Sequence, residues 1–99
     1  NPLGVIRMQF VIYCTDKPAS LDLRMATRAA HLEYIEGTQI KIVLAGPLLD
    51  AGGGMRGSMF VIDADSLEAA QRFSAADPYR KAGLFERVEI HGFRTVFPK

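Results

Sequence analysis

Four stretches of the chain are rich in β-branched and other apolar residues and end at turn-forming residues, a pattern that predicts strands. The predicted strands are residues 8–14, 40–46, 57–63 and 85–97. We expect Gly46 and Pro47 to stop the second strand, because proline cannot donate a backbone hydrogen bond to a neighbouring strand. In the fourth strand the apolar side chains fall on even positions from Val88 onward. This strand is therefore expected to bury one face only.

Between the first two strands, apolar residues recur at steps of three and four, which predicts a helix over residues 21–36. Its apolar stripe consists of Leu21, Met25, Ala29, Leu32 and Ile35. Ser20 or Asp22 is suited to its start, and Gly37 follows its end. We expect the stripe to face the core.

A second helix is predicted over residues 67–73, between the third and fourth strands. Asp65 and Glu68 are spaced as in a capping box, in which each side chain binds a free backbone amide at the helix start. Leu67, Ala70 and Phe73 lie on the predicted inner face.

The segment between the second and third strands contains three consecutive glycines, in the run PLLDAGGGMRG. We expect a mobile loop that joins the two strands as a long-looped hairpin, since glycine has the widest backbone freedom. A phosphate-binding loop would need Gly-Lys-Ser or Gly-Lys-Thr leading into a helix. Here Gly57 and Ser58 lead into a strand, so the sequence argues against nucleotide binding.

The order strand, helix, strand, strand, helix, strand predicts an α+β domain with the split βαβ arrangement. Both helices then cover one face of a four-stranded antiparallel sheet. The chain has no further element to cover the other face. We therefore predict a homodimer that packs sheet against sheet, or a higher oligomer built from it.

Composition narrows the function classes. The chain has 99 residues, a formal net charge of +1 and a single cysteine, Cys14. A balanced charge gives no field for nucleic acid, no apolar run is long enough to span a membrane, and a lone cysteine suits a reducing cytoplasm. We expect Cys14 to be a small buried hydrophobe. Residues 1–7 are interpreted as an N-terminal extension or a cloning remnant before a single domain over residues 8–99.

His31 is the stronger candidate of the two histidines for acid-base chemistry, because helical spacing places it on one ridge with Arg24 and Arg28. Two interpretations of the ridge remain open. It is either a solvated helix face or an anion-binding edge, with one arginine holding a carboxylate. His91 is expected to be a surface residue of the last strand.

Asp77 stands before Pro78, a pair that commonly begins a helix. It is therefore either a helix cap or a catalytic carboxylate. Both roles can coexist, with one carboxylate oxygen on a backbone amide and the other on the ring N–H of His31.

The sequence resembles the YciI-like (YCII-related) family through five segments in a fixed order. These are RAAHLEYI with His31, LAGPL at 44–48, the GSMFVID strand, EAAQRF, and ADPYRKAGLFERVEI at 76–90. The resemblance implies a ferredoxin-like fold that pairs as a dimeric α/β barrel, and a site built on a His–Asp pair that maps to His31 and Asp77. A relative in this family is a dehydrochlorinase of a chlorinated hydroxyquinol, and muconolactone isomerases share the wider fold.

From these residues we expect a small cytoplasmic enzyme that carries out acid-base chemistry on a small anionic molecule, aromatic-derived or lactone-like. Its class would be lyase, isomerase or hydrolase. We expect the substrate to be bound by Arg28, Arg24, Ser58, Tyr79, Gly46 and Pro47, the last two through backbone shape. The histidines and carboxylates do not have the spacing of a metal site, and no cofactor is expected. The alternative is a ligand-binding or accessory module without turnover.

Overall fold

The computed structural model describes residues 8–98, which form one antiparallel sheet with three helices. The elements are β1 Met8–Asp16, α1 Leu21–Gly37, β2 Lys41–Leu49, β3 Met55–Ala64, α2 Leu67–Ala75, α3 Pro78–Lys81 and β4 Phe85–Phe93. The sheet order is β2-β3-β1-β4, with every neighbouring pair antiparallel. The predicted α+β, ferredoxin-like βαββαβ fold is confirmed. The interpretation of residues 1–7 lies outside the described residues.

The core lies between the sheet and the helices. Its buried side chains alternate along β1 and β3, as expected for a sheet that is covered on one face. They are Phe10, Ile12 and Cys14 from β1, Phe60, Ile62 and Ala64 from β3, and Ala70 and Phe73 from α2. The expectation that Cys14 is a buried hydrophobe is confirmed, since it is 1% exposed.

The predicted inner face of α1 was wrong. The residues that are buried precede members of the predicted stripe by one position. The buried residues of α1 are Arg24 and His31, whereas Leu21 and Met25 are 50% and 51% exposed. Polar groups can occupy the inner face because each finds a partner there, as described below. The first part of the apolar stripe therefore faces outward, whereas Ile35 at its other end is partly buried against the core.

The ends of all four strands differ from the prediction by one to four residues, and β2 and β4 differ most. β2 continues through Pro47 to Leu49, and β4 ends at Phe93 instead of residue 97. Proline is tolerated in β2 because this strand pairs only with β3 and so has a free edge.

The glycine-rich connection between β2 and β3 is shorter than predicted, because both strands extend into it. Asp50 organises the turn. Its Oδ1 accepts hydrogen bonds from the amides of Gly52 and Gly54, both at 2.9 Å, and its backbone pairs with Gly53 and Gly54. Gly53 has a φ of 87°, which glycine adopts without strain.

The cap of α2 is Ser66 instead of the predicted Asp65. The Ser66 side chain accepts a hydrogen bond from the Ala69 amide at 3.1 Å. The sequence therefore predicts the right kind of cap, a short polar side chain, but places it one residue too early.

Gly57 allows β3 to lie close to β1. A Cβ atom at this position would collide with the backbone carbonyl oxygen of Cys14. The close approach fixes the position of the next residue, Ser58, opposite Cys14 on the helix-covered face.

Among the described residues, no helix is both long and apolar enough to cross a membrane.

Candidate active site

A cavity of about 240 Å³ opens between α1, the β2–β3 pair and α3. Seven of the eight site residues predicted from the sequence line it: Arg24, Arg28, His31, Gly46, Pro47, Ser58 and Tyr79. The eighth, Asp77, lies behind His31 and is 2% exposed. The structure thus brings together residues from four separate parts of the chain.

His31 and Asp77 form a buried pair. The Nδ1 atom of His31 lies 2.8 Å from Oδ1 of Asp77, and the two residues are 9% and 2% exposed. Asp77 is also the N-cap of α3, and the same Oδ1 accepts the Tyr79 amide at 2.9 Å. The expectation that each carboxylate oxygen would take one role was wrong: a single oxygen takes both.

This arrangement selects one form of the neutral imidazole ring. A carboxylate oxygen that already accepts an amide acts as acceptor for Nδ1–H as well, so the Nδ1 atom carries the hydrogen. The Nε2 atom is then the unprotonated nitrogen, and it is free to bind a proton from a ligand in the cavity.

The ring of Tyr79 packs against the face of the His31 ring and restricts its movement. The two rings stack with centroids 4.0 Å apart and an angle of 16° between their planes. The guanidinium of Arg24 lies over the Tyr79 ring, 4.6 Å from its centroid, and Phe60 meets His31 edge-on. Because Tyr79 is stacked between two side chains, it is not a free platform for a substrate ring.

Arg24 forms a buried ion pair with Asp16. Its Nε and Nη2 atoms donate to the two carboxylate oxygens of Asp16 at 2.8 and 3.0 Å, and Nη2 also donates to Ser58 Oγ at 2.8 Å. Burial lowers the pKa of Arg24, but the contact with Asp16 outweighs burial and leaves the pKa above its ordinary value. The guanidinium therefore stays charged and largely neutralised by Asp16.

Arg28 differs from Arg24 because its side chain is exposed at the rim of the cavity. Within residues 8–98 it has no ion pair, so its charge is available to an anion. Burial raises the pKa of Tyr79, and this outweighs the opposing effect of the Arg24 and Arg28 charges. The Tyr79 hydroxyl is therefore neutral near pH 7.

Two other candidate groups lie outside the chemistry of the cavity. His91 is exposed and sits 3.4 Å from Glu89, which confirms that it is a surface residue. Burial, followed by the charge of Asp77, raises the pKa of Cys14 from 9.0 to about 12. The thiol is therefore neutral at physiological pH and unsuited to act as a nucleophile.

Among residues 8–98 no three His, Cys, Asp or Glu side chains cluster as a metal site would require.

Sequence analysis missed Asp16 and Phe60. Asp16 lies beyond residue 14, the predicted end of the first strand, whereas β1 continues through Asp16 and its carboxylate contacts Arg24. The sequence signal for this role is an aspartate eight positions before Arg24. Because the predicted apolar stripe of α1 did not include Arg24 on the inner face, the sequence offered no partner for Asp16. Phe60 was predicted as strand interior, and only the sheet register places it beside Pro47 and Ser58 at the cavity wall.

Comparison with known proteins defines the family. The family model described as the YCII-related domain matches residues 8–94. This chain belongs to the YCII-related family. The YciI protein of Escherichia coli is 39% identical over 98 aligned positions, covering 91% of this chain and all of the relative. An uncharacterised YCII-family relative from Haemophilus influenzae is 33% identical over the same shares.

Solved structures support the same assignment. The chain is similar to 5-chloro-2-hydroxyhydroquinone dehydrochlorinase (TftG) from Burkholderia phenoliruptrix, solved in complex with 2,5-dihydroxybenzoquinone, with 39% identity and a TM-score of 0.83. The match covers 88% of this chain and 94% of TftG. A dimeric ferredoxin-like protein from Thermobifida fusca, at 12% identity, a TM-score of 0.58 and 93% coverage of both chains, shares the fold.

The contribution of the buried Asp16–Arg24 pair to the stability of the fold can be tested by substitution of Asp16. Its side chains are 6% and 3% exposed. We expect Asp16→Ala to lower the free energy of unfolding by about 3–5 kcal/mol, because it leaves a buried arginine without its counter-ion. Urea unfolding followed by circular dichroism measures this change.

The matched control is Arg87→Ala, which removes the surface pair of Arg87 and Glu89, 3.4 Å apart with side chains 70% and 33% exposed. We expect a loss below about 1 kcal/mol. Equal effects of the two substitutions would contradict the assignment of Arg24 as a buried, paired cation.

Proposed function

We propose that this protein is an enzyme in which His31 transfers a proton to and from a small, oxygen-rich anionic molecule, and in which Asp77 orients His31. The observation that supports this most strongly is the buried 2.8 Å contact between Nδ1 of His31 and Asp77, in a histidine that lines the cavity. A histidine paired with a carboxylate in this way is a common general base.

The proposed step begins when Nε2 of His31 removes a proton from an acidic O–H or C–H group of the substrate. The imidazolium that forms lies against the Asp77 carboxylate, which lowers the free energy of the charged ring. The proton then returns to the substrate at another atom or leaves with a departing group. This sequence of steps fits a lyase or an isomerase, whereas a hydrolase would require His31 to take the proton from an attacking water.

A covalent intermediate has little support from the geometry. The Ser58 hydroxyl oxygen accepts from Arg24 and, within residues 8–98, makes no hydrogen bond to His31. A serine nucleophile needs such a base within hydrogen-bond reach. Cys14, the other candidate nucleophile, is buried and protonated.

The size and charge of the cavity point to the substrate class. A cavity of about 150 Å³ can hold benzene. The volume of about 240 Å³ is therefore suited to a single ring with several substituents. Arg28 supplies a free positive charge at the rim, whereas Arg24 is neutralised by Asp16, so we assign the anion contact to Arg28.

Similarity to TftG makes one reaction the first to test. Loss of HCl from 5-chloro-2-hydroxyhydroquinone needs a base for one proton and departure of chloride, with no oxidant or reductant. His31 can supply the base. A protein that binds the ring but releases no chloride would instead be the ligand-binding module considered above.

We expect His31→Ala to lower kcat for chloride release from 5-chloro-2-hydroxyhydroquinone by about 100-fold or more, since general acid-base groups contribute about 10² to 10⁴ in rate. Chloride release in a stopped assay measures this. The matched control is His91→Ala, which removes an exposed histidine. A His31→Ala enzyme as active as the His91→Ala enzyme would rule out the proposed role of His31.

We further propose that the protein acts as a homodimer in the cytoplasm, paired through the sheet face that the helices leave open. Register places Val11, Tyr13, Met59 and Val61 on this face. Val61 is only 6% exposed although it lies outside the core cluster. Such an apolar sheet face is typical of an interface.

Asp63, on the same face, adds a second argument for this interface. Its Oδ1 atom is buried and has no hydrogen-bond partner among residues 8–98. A second subunit would offer it one. The single reduced cysteine, Cys14, is consistent with the cytoplasmic location.

We expect the wild-type protein at micromolar concentration to sediment with about twice the 10.9 kDa chain mass. Met59→Glu should shift it to the mass of one chain, because it places a charge at the centre of the open face. The control Leu67→Glu changes an exposed residue of α2 and should leave the mass unchanged. A wild-type mass of one chain would refute the dimer.

A further inference from the structure

The Ser58 hydroxyl lines the candidate active site with a hydrogen that no contact within residues 8–98 occupies. Ser58 is 3% exposed, and its oxygen accepts a hydrogen bond from Arg24 Nη2 at 2.8 Å. Within residues 8–98 no atom accepts the Ser58 hydroxyl hydrogen. A buried donor without an acceptor is unfavourable, so such groups are retained where a ligand or water completes them.

Arg24 determines where this hydrogen can point. Its Nη2 atom gives one hydrogen to Asp16 Oδ1 at 3.0 Å and the other to Ser58 Oγ, while Nε is held by Asp16 Oδ2. The guanidinium carbon also lies over the ring of Tyr79, 4.6 Å from its centroid. Since the Ser58 oxygen receives a hydrogen from Arg24, its own hydrogen must be directed away from Arg24.

We propose that Asp16, Arg24 and Ser58 form a relay that presents the Ser58 hydroxyl as a hydrogen-bond donor to an oxygen of the substrate. This inference rests on the proposed function and specifies its ligand: a single planar ring that carries a phenolate, enolate or carbonyl oxygen. In the relay Ser58 contacts the substrate, whereas Asp16 and Arg24 are positioning residues.

The relay has a clear use in proton transfer. When His31 removes a proton from the ring or its substituents, negative charge develops on a substrate oxygen. A donor fixed in advance beside that oxygen stabilises the charge without having to reorient. The Arg24 charge polarises the Ser58 O–H bond, because a hydroxyl that accepts from a cation becomes a better donor.

Arg28 and Ser58 then have different roles. Arg28 is exposed at the rim and attracts the anion through its charge, whereas Ser58 is buried and recognises one oxygen atom. Loss of Arg28 is therefore expected to depend on salt concentration, and loss of Ser58 is not.

The test is binding of 2,5-dihydroxybenzoquinone to the full-length protein by isothermal titration calorimetry. We expect Ser58→Ala to weaken binding by about 10-fold to 100-fold, the range for a hydrogen bond to a charged group. Ser58→Cys should also weaken binding, because a thiol is a weak donor even though it leaves Arg24 an acceptor. This second variant disturbs the packing less than alanine.

Ser74→Ala is the matched control. Ser74 is 4% exposed and its oxygen also accepts from an arginine, Arg80 Nη1 at 3.1 Å, but it lies in α2 outside the cavity. Its binding should equal that of the wild type. Circular dichroism of each variant verifies that the fold is retained.

Equal affinities of the wild type, Ser58→Ala and Ser58→Cys would overturn the relay, whatever His31 does. Failure of the wild type to bind this quinone at millimolar concentration would overturn the ligand class. Turnover by His31→Ala, combined with weak binding by Ser58→Ala, would overturn only the proposed acid-base role. The two proposals therefore fail in distinguishable ways.

Discussion

One carboxylate oxygen, Oδ1 of Asp77, holds the candidate site together. It accepts the backbone amide of Tyr79 and the Nδ1 hydrogen of His31, and so joins the start of α3 to the inner face of α1. The first bond fixes Tyr79, whose ring stacks on His31, and the second fixes the His31 ring itself. The orientation of the proposed general base thus depends on a local helix cap.

The same constraint explains why α1 turns polar residues inward. A buried ion pair, Arg24 with Asp16, and a buried hydrogen-bonded pair, His31 with Asp77, lie on either side of Tyr79. Buried ion pairs seldom stabilise a protein more than apolar side chains of the same volume. A helix of a 99-residue chain that faces its core with arginine and histidine is therefore better explained by a functional site than by stability.

The sequence was sufficient for the sheet, because its four strands are rich in β-branched and aromatic residues and are bounded by turn-forming residues. It also named His31 and Asp77 as candidates, and the family resemblance paired them; the structure places the two side chains 2.8 Å apart. The sequence could not place the inner face of α1, since the apolar stripe of Leu21 and Met25 is locally stronger than two polar residues whose partners lie elsewhere. The Asp16–Arg24–Ser58 contacts depend on strand register, which periodicity alone does not specify.

The most direct test of the account is the ring form of His31, measured by imidazole ¹⁵N chemical shifts. We expect the neutral ring of the wild type to carry its hydrogen on Nδ1. Asp77→Asn should keep this form, because an amide oxygen can accept from both Tyr79 and His31, whereas Asp77→Ala should lose it. A wild-type ring protonated on Nε2, or an Asp77→Ala ring that keeps its hydrogen on Nδ1, would contradict the central role of Asp77.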